Sequence, residues 1–189
     1  MKIVMAKGLG SLVLLWAAVG TASAAGEDCY AVDTAGGAVT FRVMQAGNPF
    51  SGGFRRFGGT VCFAQGRVAR IDVWLDPASV DGGLPEIDTA LKDKEFFAVR
   101  EYPRVSFAST TVQSSGDLHT ARGALEIKGQ RRDVEIAFRS QREGARQIAS
   151  GSFTLQRLQY GIGTGEWANT AWLGAEVKVE FKAALVAKK

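Results

Sequence analysis

Along most of this chain, apolar side chains recur at every second position. Val39, Phe41 and Val43 alternate with Thr40, Arg42 and Met44, which predicts a half-buried β-strand. Gly52-Gly53 reads as a bend. Beyond it Phe57, Gly59, Val61 and Phe63 alternate with Gly58, Thr60 and Cys62. Gln65-Gly66 is a hairpin turn, and Ala69, Ile71, Val73 and Leu75 give the apolar side of a third strand, which Pro77 ends. Val105 and Phe107 begin a fourth. Leu125 and Ile127 lie in a fifth, before a tight turn at Lys128-Gly129-Gln130. Val134, Ile136 and Phe138 mark a sixth and Phe153 and Leu155 a seventh. The last carries Leu173, Ala175, Val177, Val179 and Phe181. Such short connections favour antiparallel up-and-down order, and closure would remove the two exposed edges. The expected fold is an all-β, eight-stranded antiparallel barrel. A two-sheet sandwich is the alternative.

One stretch breaks the alternation, from Ser79 to Phe107. Its composition predicts a loop, a short helix over about 85–92, a Phe96-Phe97 plug, and a return to extended chain at Pro103. Leu84, Ile87, Leu91, Phe96 and Phe97 are too apolar a set to leave in water. The mouth of the barrel is the expected place for them, with the helix capping one end.

Polarity decides which face of the barrel is inside. One side of the strands carries Arg42, Arg70, Asp72, Glu126, Glu135, Lys178 and Glu180, and must meet water. That excludes a membrane barrel, whose outer face is apolar. The inward parity holds Phe41, Phe63, Phe107, Phe138, Phe153 and Phe181, but also Gly59, Ala69, Gly123, Gly151 and Ala175. A packed core and a ligand cavity both fit that composition.

The first 24 residues read as a secretory leader. Lys2 and Lys7 precede an apolar run from Leu9 to Val19, and Ala22-Ser23-Ala24 is a small-residue cleavage site. The expected product is a soluble exported domain over 25–189. Loss of the two lysines lowers the formal charge of +4 by two, and no Lys/Arg stripe suggests nucleic acid. Arg55-Arg56 and Arg131-Arg132 read as solvated pairs. An oxidising compartment permits a Cys29–Cys62 disulfide, with two separate thiols as the other reading.

Candidate chemistry is sparse. His119 is the sole histidine and has no partners at metal spacing, so no metal site is expected. Gly161-x-Gly163-x-Gly165 does not open a helix and is no dinucleotide fingerprint. Asp81, Glu86 and Asp88 fit helix N-terminal partners better than acid–base pairs. Arg157 follows Phe153 and Leu155 in parity and would point inward. A buried guanidinium needs partners: Asp88, latching the helix over the mouth, or a polar ligand head group.

Longer patterns carry a resemblance. Ser79-Val80-Asp81 through Phe96-Phe97 to Tyr102-Pro103-x-Val105-x-Phe107-x-Ser109-Thr110 is similar to the central signature of the YceI-like family. Gly123-x-Leu125-x-Ile127-x-Gly129 resembles its second. Arg157-x-x-Tyr160-Gly161-Ile162-Gly163 with Glu166-Trp167-Ala168 resembles its third, and Tyr30-x-Val32-Asp33 its start. Arg131-Arg132, Asn48-Pro49-Phe50 and the cysteine pair depart from the family pattern.

The resemblance implies a lipocalin-like periplasmic barrel that sequesters a long isoprenoid lipid, a polyisoprenoid or an isoprenoid quinone such as ubiquinone. It implies no catalysis and no cofactor beyond that ligand, and transient contact with a membrane surface or with membrane proteins. The expected ligand-facing residues are Phe41, Val43, Val61, Phe63, Ile71, Val73, Phe107, Leu125, Phe138, Phe153, Leu155, Val179 and Phe181 on the strands. Leu91, Phe96, Phe97, Arg157 and Trp167 are expected at the mouth. A quinone-using redox partner or enzyme is the competing reading, and it lacks an evident residue set for proton or electron transfer. A packed barrel without ligand is a third.

Overall fold

The computed structural model describes residues 27–144 and 146–187. The leader lies outside the described residues. Where side chains alternate, the chain forms β1 (Asp28–Gln45), β2 (Asn48–Phe54), β3 (Phe57–Ala64), β4 (Arg67–Leu75) and the short β5 (Val80–Asp81). After the helix α1 (Pro85–Lys92) follow β6 (Val105–Ser115), β7 (Leu118–Ile127), β8 (Gln130–Glu143), β9 (Arg146–Gln156) and β10 (Leu173–Ala187). Every pairing is antiparallel, and β10 pairs with β1, so the sheet closes.

Two walls of this eight-stranded barrel are each made of two segments. Along β1, Val39 faces Phe54 of β2 while Ala31 faces Thr60 of β3. Likewise Phe57 faces Leu75 of β4, and Phe54 faces Val80 of β5. The breaks fall at Arg55-Arg56 and at the 3₁₀ turn Pro77–Ser79. Cross-links hold them together: Asp76 N–H donates to the Arg56 carbonyl at 2.9 Å, Arg55 N–H to the Ser79 carbonyl at 3.1 Å. Asp81 and Asp76 pair with Arg55 and Arg56 at 2.6 and 2.7 Å. The arginines are exposed, as expected, and partnered. On the mouth side of these breaks β2 pairs with β1 and β5, where β1 also pairs with β10.

The helix forms where the sequence places it. Pro85 occupies the first turn with Glu86 and Asp88, whose charges favour a helix N-terminus, and Lys92 lies in the last turn. Leu91 is buried against Val43, Val80 and Phe96. Among the described residues, no helix is long and apolar enough to cross a membrane.

Several expectations need correction. The first strand starts at Asp28, well before Val39, because Tyr30, Val32 and their neighbours pair with Ala187 to Ala184 of β10. Gly52-Gly53 is strand, not bend: a side chain at Gly52 would meet the Phe41 ring at 2.5 Å, so glycine lets that ring lie across β2. Ala69 faces out, because a register shift between Cys62 and Phe63 swings Val68 inward instead. Leu84, expected to be covered, is 57% exposed as the residue capping α1.

At the end opposite the helix, β1 and β3 are joined covalently. Cys29 and Cys62 face each other across the two strands and form a disulfide. Tyr30 and Phe63 meet edge to face at 5.3 Å beside it. His119 is buried there, stacked on Phe138 at 4.9 Å with Ser114 Oγ 2.8 Å from its Nδ1. Burial pushes its pKa down, with Asp117 opposing weakly.

Candidate functional site: a divided apolar cavity under an aromatic lid

The interior of the barrel is not filled. An outer cavity of about 200 Å³ lies under α1, and an inner one of about 170 Å³ extends toward the disulfide end. Val39, Leu75, Val105, Leu125, Phe153 and Val179 border both, so the two compartments share a waist. This explains a feature of β10. Val177, Val179 and Phe181 point inward yet stay only half-buried, because part of their surface faces empty space.

Most of the residues expected at the ligand do line this space. Phe41, Val43, Leu91, Phe96, Phe97, Leu155, Arg157 and Trp167 border the outer compartment. Val61, Ile71, Val73, Phe107, Phe138 and Phe181 border the inner one. Phe63 lies outside both, packed on Tyr30 in the floor. The reading by parity missed Phe50 and Phe54, whose rings meet Phe41 at a tilt with centroids 6.1 and 5.7 Å away. A period-two signal was present in Phe50, Gly52 and Phe54, but the glycines masked it.

The mouth is closed by aromatic contacts. Phe96 meets Trp167 at 5.4 Å and Phe97 meets Phe54 at 5.5 Å, both edge to face. Backbone bonds reinforce the first contact. The Glu95 carbonyl accepts from Gly163 N–H at 2.7 Å and from Thr164 N–H at 3.1 Å.

Arg157 faces inward, as its parity predicts, and is 1% exposed. Its partners are neither of those anticipated. Nε donates to the Gly174 carbonyl at 2.8 Å. Nη1 donates to Ile162 and Gly163 at 2.9 and 2.7 Å, and Nη2 to Trp167 and Leu173, both at 2.7 Å. Five carbonyl oxygens thus use the five donors of the guanidinium, which leaves none for a ligand head group. Asp88 is no latch either: its Oδ1 accepts the Gly82 N–H at 2.6 Å. Burial pushes the Arg157 pKa down from its ordinary value. The guanidinium is a hub that gathers the loop over 162–174 and so positions Trp167 against Phe96.

Besides Arg157, Gln45 is the one other charged or amide side chain bordering the outer cavity, and Ser106 brings the one hydroxyl to the inner. The cavity therefore selects by shape and apolarity, and hydrogen bonding adds little.

Comparison with known proteins agrees with this architecture. A YceI-like domain model matches residues 30–185. A UPF0312 protein of Azotobacter vinelandii is 33% identical over 144 residues, 73% of this chain and 74% of that protein. Burkholderia cenocepacia BcnA superposes with a TM-score of 0.77 at 28% identity, covering 81% of this chain and 98% of that one. A polyisoprenoid-binding domain from Saccharophagus degradans superposes with a TM-score of 0.69, covering 84% and 98%, and at 14% identity it speaks to the fold alone. With a domain match spanning nearly all the described residues, the chain belongs to the YceI-like family.

Proposed function

We propose that this protein is an exported carrier that holds a long isoprenoid lipid, a polyisoprenoid or isoprenoid quinone, inside its barrel. The observation that carries the reading is the apolar space beneath the Phe96–Phe97 lid, two compartments that share six lining residues and are bordered almost wholly by hydrocarbon and aromatic side chains. The polyisoprenoid binding of the Saccharophagus degradans relative is consistent with it, as are the leader-like first 24 residues and the disulfide.

Binding by burial suffices for this role, and no bond need be made or broken. Each buried CH₂ is worth about 0.8 kcal/mol against water, so a five-carbon isoprene unit gains about 4 kcal/mol. Against the interior of a bilayer the gain is near zero, since lipid tails are equally apolar. Loading and unloading at a membrane surface are then nearly balanced, and the lid governs their rates. Arg157 contributes by holding the mouth in shape.

Native mass spectrometry of gently purified, exported protein tests the proposal. A co-purifying isoprenoid mass is expected. Empty protein whose melting curve ignores added isoprenoid would refute it in favour of a structural barrel.

A further inference from the structure

Lys128 is a charged side chain in the mouth that the binding of an apolar chain does not require. It occupies the first central position of the β7–β8 turn, with φ of 49°, and Gly129 follows with φ of 71°. Both central residues are left-handed, the geometry of a tight hairpin turn that Asn-Gly forms most readily. Tyr102, at the exit of the lid segment, packs on Gly129.

From this turn the lysine reaches back to the mouth. Its stem lies against Gly161, and its Nζ donates to two carbonyls: Lys94 at 2.5 Å and Gly161 at 2.7 Å. Those carbonyls belong to opposite banks of one seam. Lys94 directly precedes Glu95, Phe96 and Phe97 on the lid. Gly161 opens the loop whose Gly163 and Thr164 amides bond the Glu95 carbonyl. The two banks touch each other through those bonds and through Phe96 and Trp167, and Lys128 holds both from a third element. The residue is half-buried, and burial pushes its pKa down, with Glu101 and Glu95 opposing.

We propose that the seam between residues 94–97 and 161–167 is the door of the cavity, and that Lys128 is the positioning residue that keeps it shut. The proposal rests on the carrier reading for what passes through the door, but not for whether Lys128 holds it. Opening breaks the two Glu95 bonds and parts Phe96 from Trp167, both of which cover the outer cavity. The barrel ladder stays intact. Lys128 therefore sets a rate of exchange more than an affinity.

The turn geometry allows a clean test. Lys128→Asn and Lys128→Gly both suit a left-handed position and remove the ammonium, so neither strains the hairpin. Lys128→Arg keeps a cation with several donors and serves as the rescue. Two measurements are made on the full exported domain. The first is amide hydrogen exchange of Gly163 and Thr164 by NMR without ligand. The second is release of N-phenyl-1-naphthylamine, a neutral apolar dye, into detergent micelles by stopped flow. Lys128→Asn and Lys128→Gly are expected to speed both by tenfold or more with a fall in melting temperature of no more than about 6 °C, and Lys128→Arg to remain within about threefold of wild type. Exchange within twofold of wild type in both variants overturns the latch. Faster exchange with unchanged release overturns the door. If wild type takes up no dye, the carrier reading suffers, and the exchange data still decide the latch.

Discussion

Replacing Arg157 by Met removes the guanidinium while keeping a long apolar stem of similar reach. Five carbonyl oxygens, of Ile162, Gly163, Trp167, Leu173 and Gly174, lose their donor together. A buried acceptor left unsatisfied costs about 1–3 kcal/mol. Even at the lower limit, five amount to about 5 kcal/mol, which is comparable with the whole stability of a small domain at roughly 5–15 kcal/mol. Water reaching the mouth can recover part of this, so the damage should concentrate in the loop over 162–174 and spare the ladder. Arg157→Lys separates charge from geometry. Lysine restores the charge but offers three donors from a single point, so it should retain less than half of the lost stability. Equilibrium urea unfolding, read by far-UV circular dichroism and by Trp fluorescence, measures both. With a slope of roughly 2 kcal/mol/M, the midpoint of Arg157→Met should fall by about 2 M, and the fluorescence transition should precede the dichroism. A midpoint within 0.5 M of wild type, or full rescue by lysine, would show that the five bonds are not the source of stability at the mouth.

Three further outcomes are expected. Phe96→Ala with Phe97→Ala should change uptake and release of an apolar dye far more than it changes the far-UV spectrum, because the space vacated merges with a cavity already present; global unfolding would make the pair core and end the lid reading. Cys29→Ser with Cys62→Ser should cost about 4 kcal/mol in urea, from the closure entropy of a 33-residue separation, and a loss under about 1 kcal/mol would mean that the paired strands already hold that end. Burial holds the pKa of His119 below its ordinary 6.5, so the unfolded chain takes the proton more readily. Stability is then complete above about pH 6.5 and declines as pH falls from there through the lowered folded value; His119→Gln should flatten thermal melts compared between about pH 7.5 and pH 5, and a curve as steep as wild type would assign the decline to other groups.

The barrel was legible because its walls obey one rule, apolar inward and charged outward, and that rule is written at every second residue. The helix was legible because Pro85, Glu86, Asp88 and Lys92 carry its end signals. What escaped depends on contacts between distant segments. Ala69 reads as inward until the register shift against Cys62 and Phe63 is known. β2 was hidden by the glycine that Phe41 demands from across the strand pair. Arg157 could be assigned a direction by parity but not its partners, since backbone carbonyls converging from three loop residues and two residues of β10 leave no trace in side-chain identity. Lys128 reads as an ordinary turn residue, and its reach to Lys94 and Gly161 appears only once β7 and β8 bring the turn to the mouth.

The empty space sets the terms for the rest of the design. The two compartments, about 200 and 170 Å³, together make about 370 Å³. A barrel that keeps this space forgoes the contacts that a packed core would make across it. Whatever offsets that loss must lie in the walls and ends, where the interior contributes least. The ladder closes through β10 and β1, the disulfide joins β1 to β3 at the floor, and Arg157 ties five carbonyls at the mouth. The floor is secured by a covalent bond and buried side chains, whereas the mouth is secured by hydrogen bonds and two aromatic contacts that separate without disturbing a strand. For the proposed carrier, this asymmetry makes the lidded end the expected entrance. An apolar occupant would restore the missing contacts throughout the interior, so filling the cavity should stabilise the floor and the mouth alike, even where the proposed ligand passes through only one of them.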